Sequence, residues 1–364
     1  MQITINQIDL LSALTLLKPI LTKKTPMPIL QNVKIEASGD VVTFSGTDLE
    51  TGIVIKRKAI IAEEGATTLP GTKLLEITKT LTKGSVTLKH EKGMVVLSNG
   101  NTSISIPEMT VDNYPNFMED TAVLTPTNRL NLINCLELTI FSASKSDSRF
   151  GLSGVYIGSY ENSTCLVATD GHRLSLIKTG DEMLPTSSII PRLSAIAMSK
   201  ALSALDCEDV MMGGDKKNII VKTEDVTLTT RLLDSEYPDF TRVIPAEDNT
   251  KTEVNVASFL QSLKRVLPIT SDTSHGVEVT ITKDEIELVT RNGVDGEGTD
   301  RFKTESTSTP TDMFIVNINY LIESLSHVPT PTVRISVEGE GKPIVMLPPD
   351  RSGEWTILVM PMRK

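Results

Sequence analysis

Ser142-Ala143-Ser144-Lys145 sets a hydroxyl one helical turn from an amine, the spacing of an acyl-transfer nucleophile and its base, and Lys178-Thr179-Gly180 supplies a second motif of that chemistry. The reaction would be covalent attack on an amide. It also needs a Ser-Asp-Asn element, which does not follow, and the Lys-Thr-Gly arrives too early for that fold. His90, His172, His275 and His327 are far apart, with neither a cysteine partner nor an HExxH pair, so no zinc site is expected. There is no GxxxxGK[ST] loop, and Gly296-Glu297-Gly298 reads as an isolated turn rather than a dinucleotide fingerprint. No catalytic residue, metal or other cofactor is therefore expected. What remains suits binding. Ala168-Thr169-Asp170-Gly171-His172-Arg173-Leu174 reads as an exposed turn between strand-like runs, Pro238 to Val243 is punctuated by proline, and Val359-Met360-Pro361-Met362-Arg363-Lys364 carries methionine, an adaptable lining for apolar grooves.

The elements that position these residues repeat. Thr47-Asp48, Thr169-Asp170 and Thr290-Arg291 each follow a strand-like run, and Tyr114-Pro115-Asn116-Phe117 returns as Tyr237-Pro238-Asp239-Phe240. The step is close to one third of the 364 residues. Helical spacing is expected over 7–18, 71–83, 127–140, 192–205, 256–267 and 318–327, two helices per third. Alternating runs such as Val33–Ile35, Ile53–Ile55, Val86–Leu88, Ile219–Val221, Val226–Leu228, Val277–Ile281 and Val333–Val337 predict half-buried strands. The organisation is an α+β domain used three times, with boundaries giving 1–121, 122–248 and 249–364.

Composition narrows the function. Aromatic residues are only 4%, and Asp plus Glu exceed Lys plus Arg by 46 − 36 = 10. Such a net charge argues against nucleic acid or anionic membrane as a partner of the whole surface. The six expected helices nonetheless sum to +5, leaving −10 − 5 = −15 elsewhere. Helices sharing one face would make a basic face on an acidic body, able to follow phosphates without reading bases. No apolar run spans a bilayer, the N-terminus reads as neither anchor nor signal, and Cys135, Cys165 and Cys207 lack a CxxC pair. A cytoplasmic location with reduced thiols and no membrane partner is expected.

On Gly46-Thr47-Asp48-Leu49-Glu50, Ala168 to Leu174, Tyr237-Pro238-Asp239-Phe240 and Val359-Met360-Pro361-Met362-Arg363, the chain resembles, end to end, the bacterial sliding-clamp family, the β subunits of DNA polymerase III. The resemblance implies three tandem clamp domains, each with two helices packed on antiparallel sheets, closing into a head-to-tail homodimeric ring around duplex DNA. It implies sequence-independent DNA contact by Lys24, Lys73, Arg149, Phe150 and Arg192. It further implies a pocket for a short linear motif of the replicative polymerase, clamp loader and repair proteins. The matching positions are Leu152, Thr169, Gly171, His172, Arg173, Leu174, Pro238, Arg242, Val243, Asn317, Tyr320, Met360, Pro361, Met362 and Arg363. Across the ring interface, Thr102–Pro107 would pair with the segment Glu297–Phe302 of another copy, with Glu297 or Asp300 giving ionic support. The alternative is a tandem protein-binding scaffold of the same fold that does not encircle DNA.

Overall fold

The computed structural model describes residues 1–21, 25–116, 123–146, 151–180, 187–244, 252–270, 275–294, 296–306, 312–337, 339, 341–349 and 354–362. Six helices are placed: α1 (Gln7–Leu17), α2 (Gly71–Thr80), α3 (Arg129–Ile140), α4 (Arg192–Ser203), α5 (Val256–Val266) and α6 (Ile318–Ser326). All fall within the expected segments, each a little shorter. Asparagine opens the first helix of every third: the side chains of Asn6, Asn128 and Asn255 accept from the backbone N–H of Ile8, Asn131 and Ser258 at 2.9 Å. Helix α5 shows why such a segment settles on a sheet. Val256, Phe259, Leu263 and Val266 are buried along one stripe, while Lys264 and Arg265 are exposed in the last turn, where cations favour the helix dipole.

The chain divides into two compact units, and the middle third contributes to both. The first unit is Met1–Asn134 with Asp181–Asp234. It holds one sheet in the order Ile60–Glu63, Gln2–Asn6, Ser85–Glu91, Met94–Asn99, Thr102–Pro107. A larger sheet runs Leu124–Asn128, Asp209–Gly214, Asn218–Lys222, Val226–Arg231, Thr51–Lys58, Val41–Thr47, Asn32–Ser38, Gly65–Pro70. A strand of the middle third is thereby joined to one of the first, Val226–Thr230 against Thr51–Ile55.

The second unit is Cys135–Gly180 with Ser235–Lys364. Its long sheet runs Gly154–Tyr160, Ser163–Thr169, Arg173–Thr179, Trp355–Val359, Ile344–Leu347, Thr332–Val337, Thr252–Asn255, Glu305–Ser306. Here Arg173–Ile177 pairs with Trp355–Val359, repeating the junction of the first unit. The smaller sheet runs Gly296–Lys303, Glu285–Asn292, Gly276–Ile281, Asp312–Asn317. Gly296-Glu297-Gly298 is thus the start of an edge strand, not an isolated turn, and its largely exposed residues explain why no hydrophobic alternation announces it.

The cores are aliphatic. Alternating strands such as Met94–Asn99 and Gly276–Ile281 send Val95, Leu97, Val277, Val279 and Ile281 inward, each such side chain contributing roughly 1.5–3 kcal/mol by leaving water. Trp355, Phe44 and Phe259 are the largest fully buried side chains. Trp355 donates its indole N–H to Ser175 Oγ at 2.9 Å, and Ser175 donates in turn to the Leu138 carbonyl, so the polar atom of this buried ring is satisfied.

Candidate functional site

The turn between the strands Ser163–Thr169 and Arg173–Thr179 is held by its own side chains. Asp170 Oδ1 accepts the N–H of His172 (2.9 Å) and Arg173 (3.1 Å), Thr169 Oγ1 donates to the Arg173 carbonyl (2.6 Å), and Gly171 N–H donates to Thr169 Oγ1 (3.0 Å). Gly171 sits at φ 85°, the left-handed region where a side chain is costly. Met360 N–H donates to the His172 carbonyl at 2.8 Å, which ties the C-terminal segment to this turn.

These pieces border an apolar groove of about 180 Å³. Its lining gathers Leu152, Thr169, Gly171, Arg173, Leu174, Pro238, Val243 and Met360 from the positions named in the sequence, and adds Asp239, Phe240 and Leu358. Behind it lies a cluster unusual for so aromatic-poor a chain. Tyr156 stacks on Tyr237 at 5.0 Å, and Phe240 lies within 5.9 Å of Tyr156 and 5.7 Å of Tyr160. Tyr237 donates its hydroxyl to the Val167 carbonyl at 3.3 Å, and burial raises its pKa well above the ordinary value. Burial likewise pushes the Cys165 thiol up to about 11, leaving an inert hydrophobe in this wall.

The other named positions lie outside that lining. Arg242 is 82% exposed and pairs with Asp239 at 2.8 Å; the Thr241 hydroxyl, helped by this guanidinium, keeps the Asp239 carboxyl below its usual range. His172 stacks on Tyr320 at 6.0 Å, and both line a wider cleft of about 910 Å³ that also contains Arg173. Asn317 caps α6 by accepting the Asn319 N–H at 2.9 Å. Met362 N–H donates to the Ile315 carbonyl at 2.7 Å, and Pro361 is half-buried between the two anchored methionines. Arg173 is buried, contrary to an exposed-turn reading, because its guanidinium finds acceptors on Asp170, Glu323 and Phe141.

Lys73 is exposed on α2, and Arg192 is half-buried at the start of α4. Lys79, Lys200, Lys264 and Arg265 are further exposed cations on the helices. Lys24, Arg149, Phe150 and Arg363 lie outside the described residues. Ser142 is fully buried, with no hydrogen-bond partner for its Oγ, so neither a substrate nor Lys145 reaches it as acyl transfer requires. Among the described residues no group of three His, Cys, Asp or Glu could hold a metal, and no helix is long and apolar enough to cross a membrane.

Three family models tile the chain: the N-terminal domain of the DNA polymerase III beta subunit matches residues 1–118, the central domain 127–239 and the C-terminal domain 241–363. The chain belongs to the DNA polymerase III beta subunit family. Beta sliding clamps are similar along its whole length: that of Caulobacter vibrioides is 26% identical over 377 residues, covering 100% of both chains. That of Streptococcus pneumoniae R6 is 28% identical, covering 99% of this chain and 98% of its own. The crystal structure of the Thermotoga maritima beta subunit superposes with a TM-score of 0.91 at 27% identity, over 100% of this chain and 99% of that one. The architecture is therefore that of three clamp domains, each with two helices on antiparallel sheets, and the family is a non-catalytic processivity factor.

Within this clamp frame, three groove residues were absent from the positions named in the sequence. Phe240 ends the repeated Tyr-Pro-Asp-Phe motif, so the repeat that singled out Pro238 could have found it. Leu358 alternates with Val359 in a strand buried on both faces, and alternation cannot say which residue meets the groove. Asp239 carries no local signal beyond its place beside Pro238.

Proposed function

We propose that the chain acts as a sliding clamp: two copies close head-to-tail into a ring around duplex DNA, hold the replicative polymerase on its template, and use the groove to dock short linear motifs of the polymerase, clamp loader and repair proteins. One observation carries the ring. At each internal junction a strand following the Thr-Asp turn pairs with the last strand of the next third: Thr51–Ile55 with Val226–Thr230, and Arg173–Ile177 with Trp355–Val359. The third such pair is Gly296–Lys303 and Thr102–Pro107, and both are sheet edges with their outer hydrogen-bonding side open among the described strands. Two junctions are used within the chain, and the equivalent third is left for a second copy. Asp300 pairs with Arg265 at 2.7 Å and Glu297 with Arg291 at 3.4 Å, so backbone pairing rather than free carboxylates is the main attraction we assign to the interface.

The basic helices support the DNA side of this reading. Lys73, Lys79, Lys200, Lys264 and Arg265 project into solvent, and Lys24, Arg149, Phe150 and Arg192 are assigned the same role by family likeness. Backbone-only contacts can each be weak because a closed ring retains DNA topologically, and weak contacts permit sliding. The groove gives the docking side: its apolar lining suits aliphatic or aromatic anchors, each worth roughly 1.5–3 kcal/mol before ordering costs. We divide the domains at 121/122 and 248/249 and place the protein in the cytoplasm with its three cysteines reduced. The test is loading onto nicked circular DNA by a clamp loader. Retention that ends when the circle is linearised supports the ring. A monomer at micromolar concentration by sedimentation, with no such retention, would identify the scaffold alternative instead.

A further inference from the structure

A buried guanidinium tethers the groove wall to α6. Arg173, its side chain 3% exposed, donates Nη1 to Glu323 Oε2 at 2.8 Å, Nε to Asp170 Oδ2 at 3.1 Å and Nη2 to the Phe141 carbonyl at 2.6 Å. Its guanidinium carbon lies 4.9 Å from the centre of the Tyr320 ring and 5.6 Å from that of Phe141. Of the three acceptors, Asp170 belongs to the turn and the Phe141 carbonyl is backbone. Glu323 is the side chain that arrives from another element.

The internal repeat supplies a control for what this tether does. At Thr47–Thr51 the same turn forms with the same bonds: Asp48 Oδ1 accepts the N–H of Glu50 and Thr51, Thr47 Oγ1 donates to the Thr51 carbonyl, and Leu49 N–H donates to Thr47 Oγ1. Thr51 stands where the second copy has Arg173, and its hydroxyl bonds Thr230 Oγ1 at 2.9 Å. The turn therefore folds without a guanidinium, so the Arg173–Glu323 tether is not needed to make it. What the tether reaches is the groove, since Gly171, Arg173 and Leu174 line it and the His172 carbonyl holds Met360.

We propose that Glu323 is a positioning residue for the docking groove: from α6 it holds Arg173, and through Arg173 it fixes the Gly171–Leu174 wall and the Met360 segment in the shape that receives an apolar-anchored peptide. This rests on the groove being the docking site, as proposed above. Loss of one carboxylate leaves a buried cation short of a partner, which turns toward other acceptors and takes the wall with it. Lys145, 64% exposed and 3.8 Å from Glu323 Oε1, is a weak competitor for the same carboxylate.

The test is a titration of the full-length protein with a fluorescein-labelled hexapeptide bearing adjacent leucine and phenylalanine anchors. Glu323→Gln should weaken binding about tenfold, the loss expected for one charge-assisted hydrogen bond, with a lowered melting temperature because the buried cation loses a partner, but a melt that stays cooperative. Glu323→Asp, which keeps the carboxylate, should recover most of the affinity. In an Arg173→Gln background, Glu323→Gln should add nothing, because the two act as one unit. Wild-type affinity in Glu323→Gln, or a loss that adds in full to that of Arg173→Gln, overturns the positioning role while Met360→Ala still weakens binding. A hexapeptide that ignores the wild type, or binds Met360→Ala equally well, overturns the groove assignment and the positioning role with it.

Discussion

Leu49 and Gly171 hold the same place in two copies of one turn, at φ 78° and φ 85°, and only the second copy adjoins the apolar groove described above. The backbone bonds of the two turns agree one for one, down to the strand that follows: Arg231 N–H donates to the Glu50 carbonyl at 2.9 Å as Met360 N–H does to that of His172 at 2.8 Å. The side chains do not agree. Gly52, Thr229 and Arg231 occupy the places of Leu174, Leu358 and Met360, so the first copy carries small and polar groups where the second carries an apolar wall. The repeat thus fixes a scaffold by backbone and threonine–aspartate chemistry, and a few side chains decide whether that scaffold also presents a groove.

Four variants separate scaffold from groove. Deleting Met360 to Lys364 should reduce hexapeptide binding at least a hundredfold, because it removes a lining residue and the partner of the His172 carbonyl. The dimer, measured by sedimentation, should persist; unchanged binding would mean that the second turn works as independently as the first. Gly171→Leu converts the second turn toward the first. A left-handed leucine costs about 1–2 kcal/mol, so the melting temperature should fall by a few degrees while binding falls several tens-fold; equal loss of both would make the groove a by-product of turn stability.

The reciprocal Leu49→Gly should stabilise the chain by about 1 kcal/mol in denaturant melts, as backbone strain is relieved against the added freedom of glycine. Hexapeptide affinity should not move, and a change would show that the first turn takes part in docking. The smallest effect concerns Asp48, whose carboxyl burial raises above its ordinary 3.8, with the backbone N–H groups of Thr51 and Glu50 pulling the other way. A raised folded-state pKa means that ionisation is disfavoured in the native state. That penalty is complete above the folded value and vanishes as pH falls below 3.8. Asp48→Asn keeps an acceptor without the charge, so any gain in melting temperature it shows at pH 7 should shrink as pH is lowered through this window. A gain constant with pH would assign the effect to hydrogen bonding alone.

Much of this was legible in the chain before any coordinates. Threonine–aspartate after a strand and tyrosine–proline after the last strand are local signals, and both recur in the first two thirds. Thr169, Gly171, Leu174 and Pro238 lie inside or beside such signals, and the family resemblance carried them to the pocket. Glu323 could not, since it meets Arg173 from 150 residues away and nothing near it in sequence marks a buried guanidinium. The strand Gly296–Lys303 was expected only through the family resemblance, as the pairing segment Glu297–Phe302, and not from its own pattern. A sheet edge with largely exposed faces has no hydrophobic period to display, and glycine at both ends of Gly296-Glu297-Gly298 imitates a turn.

Trp355 is the one tryptophan in the chain, and it sits on the strand that joins the last third to the middle one, fully buried and hydrogen-bonded to Ser175 across that pairing. The protein therefore carries a built-in optical label at a single junction. Its emission reports the polarity around the Trp355–Ser175 contact, and no second indole dilutes the signal. Red-shifted emission during dilution, denaturation or docking would time the opening of this strand pair alone, while the Val226–Thr230 junction stays spectroscopically silent.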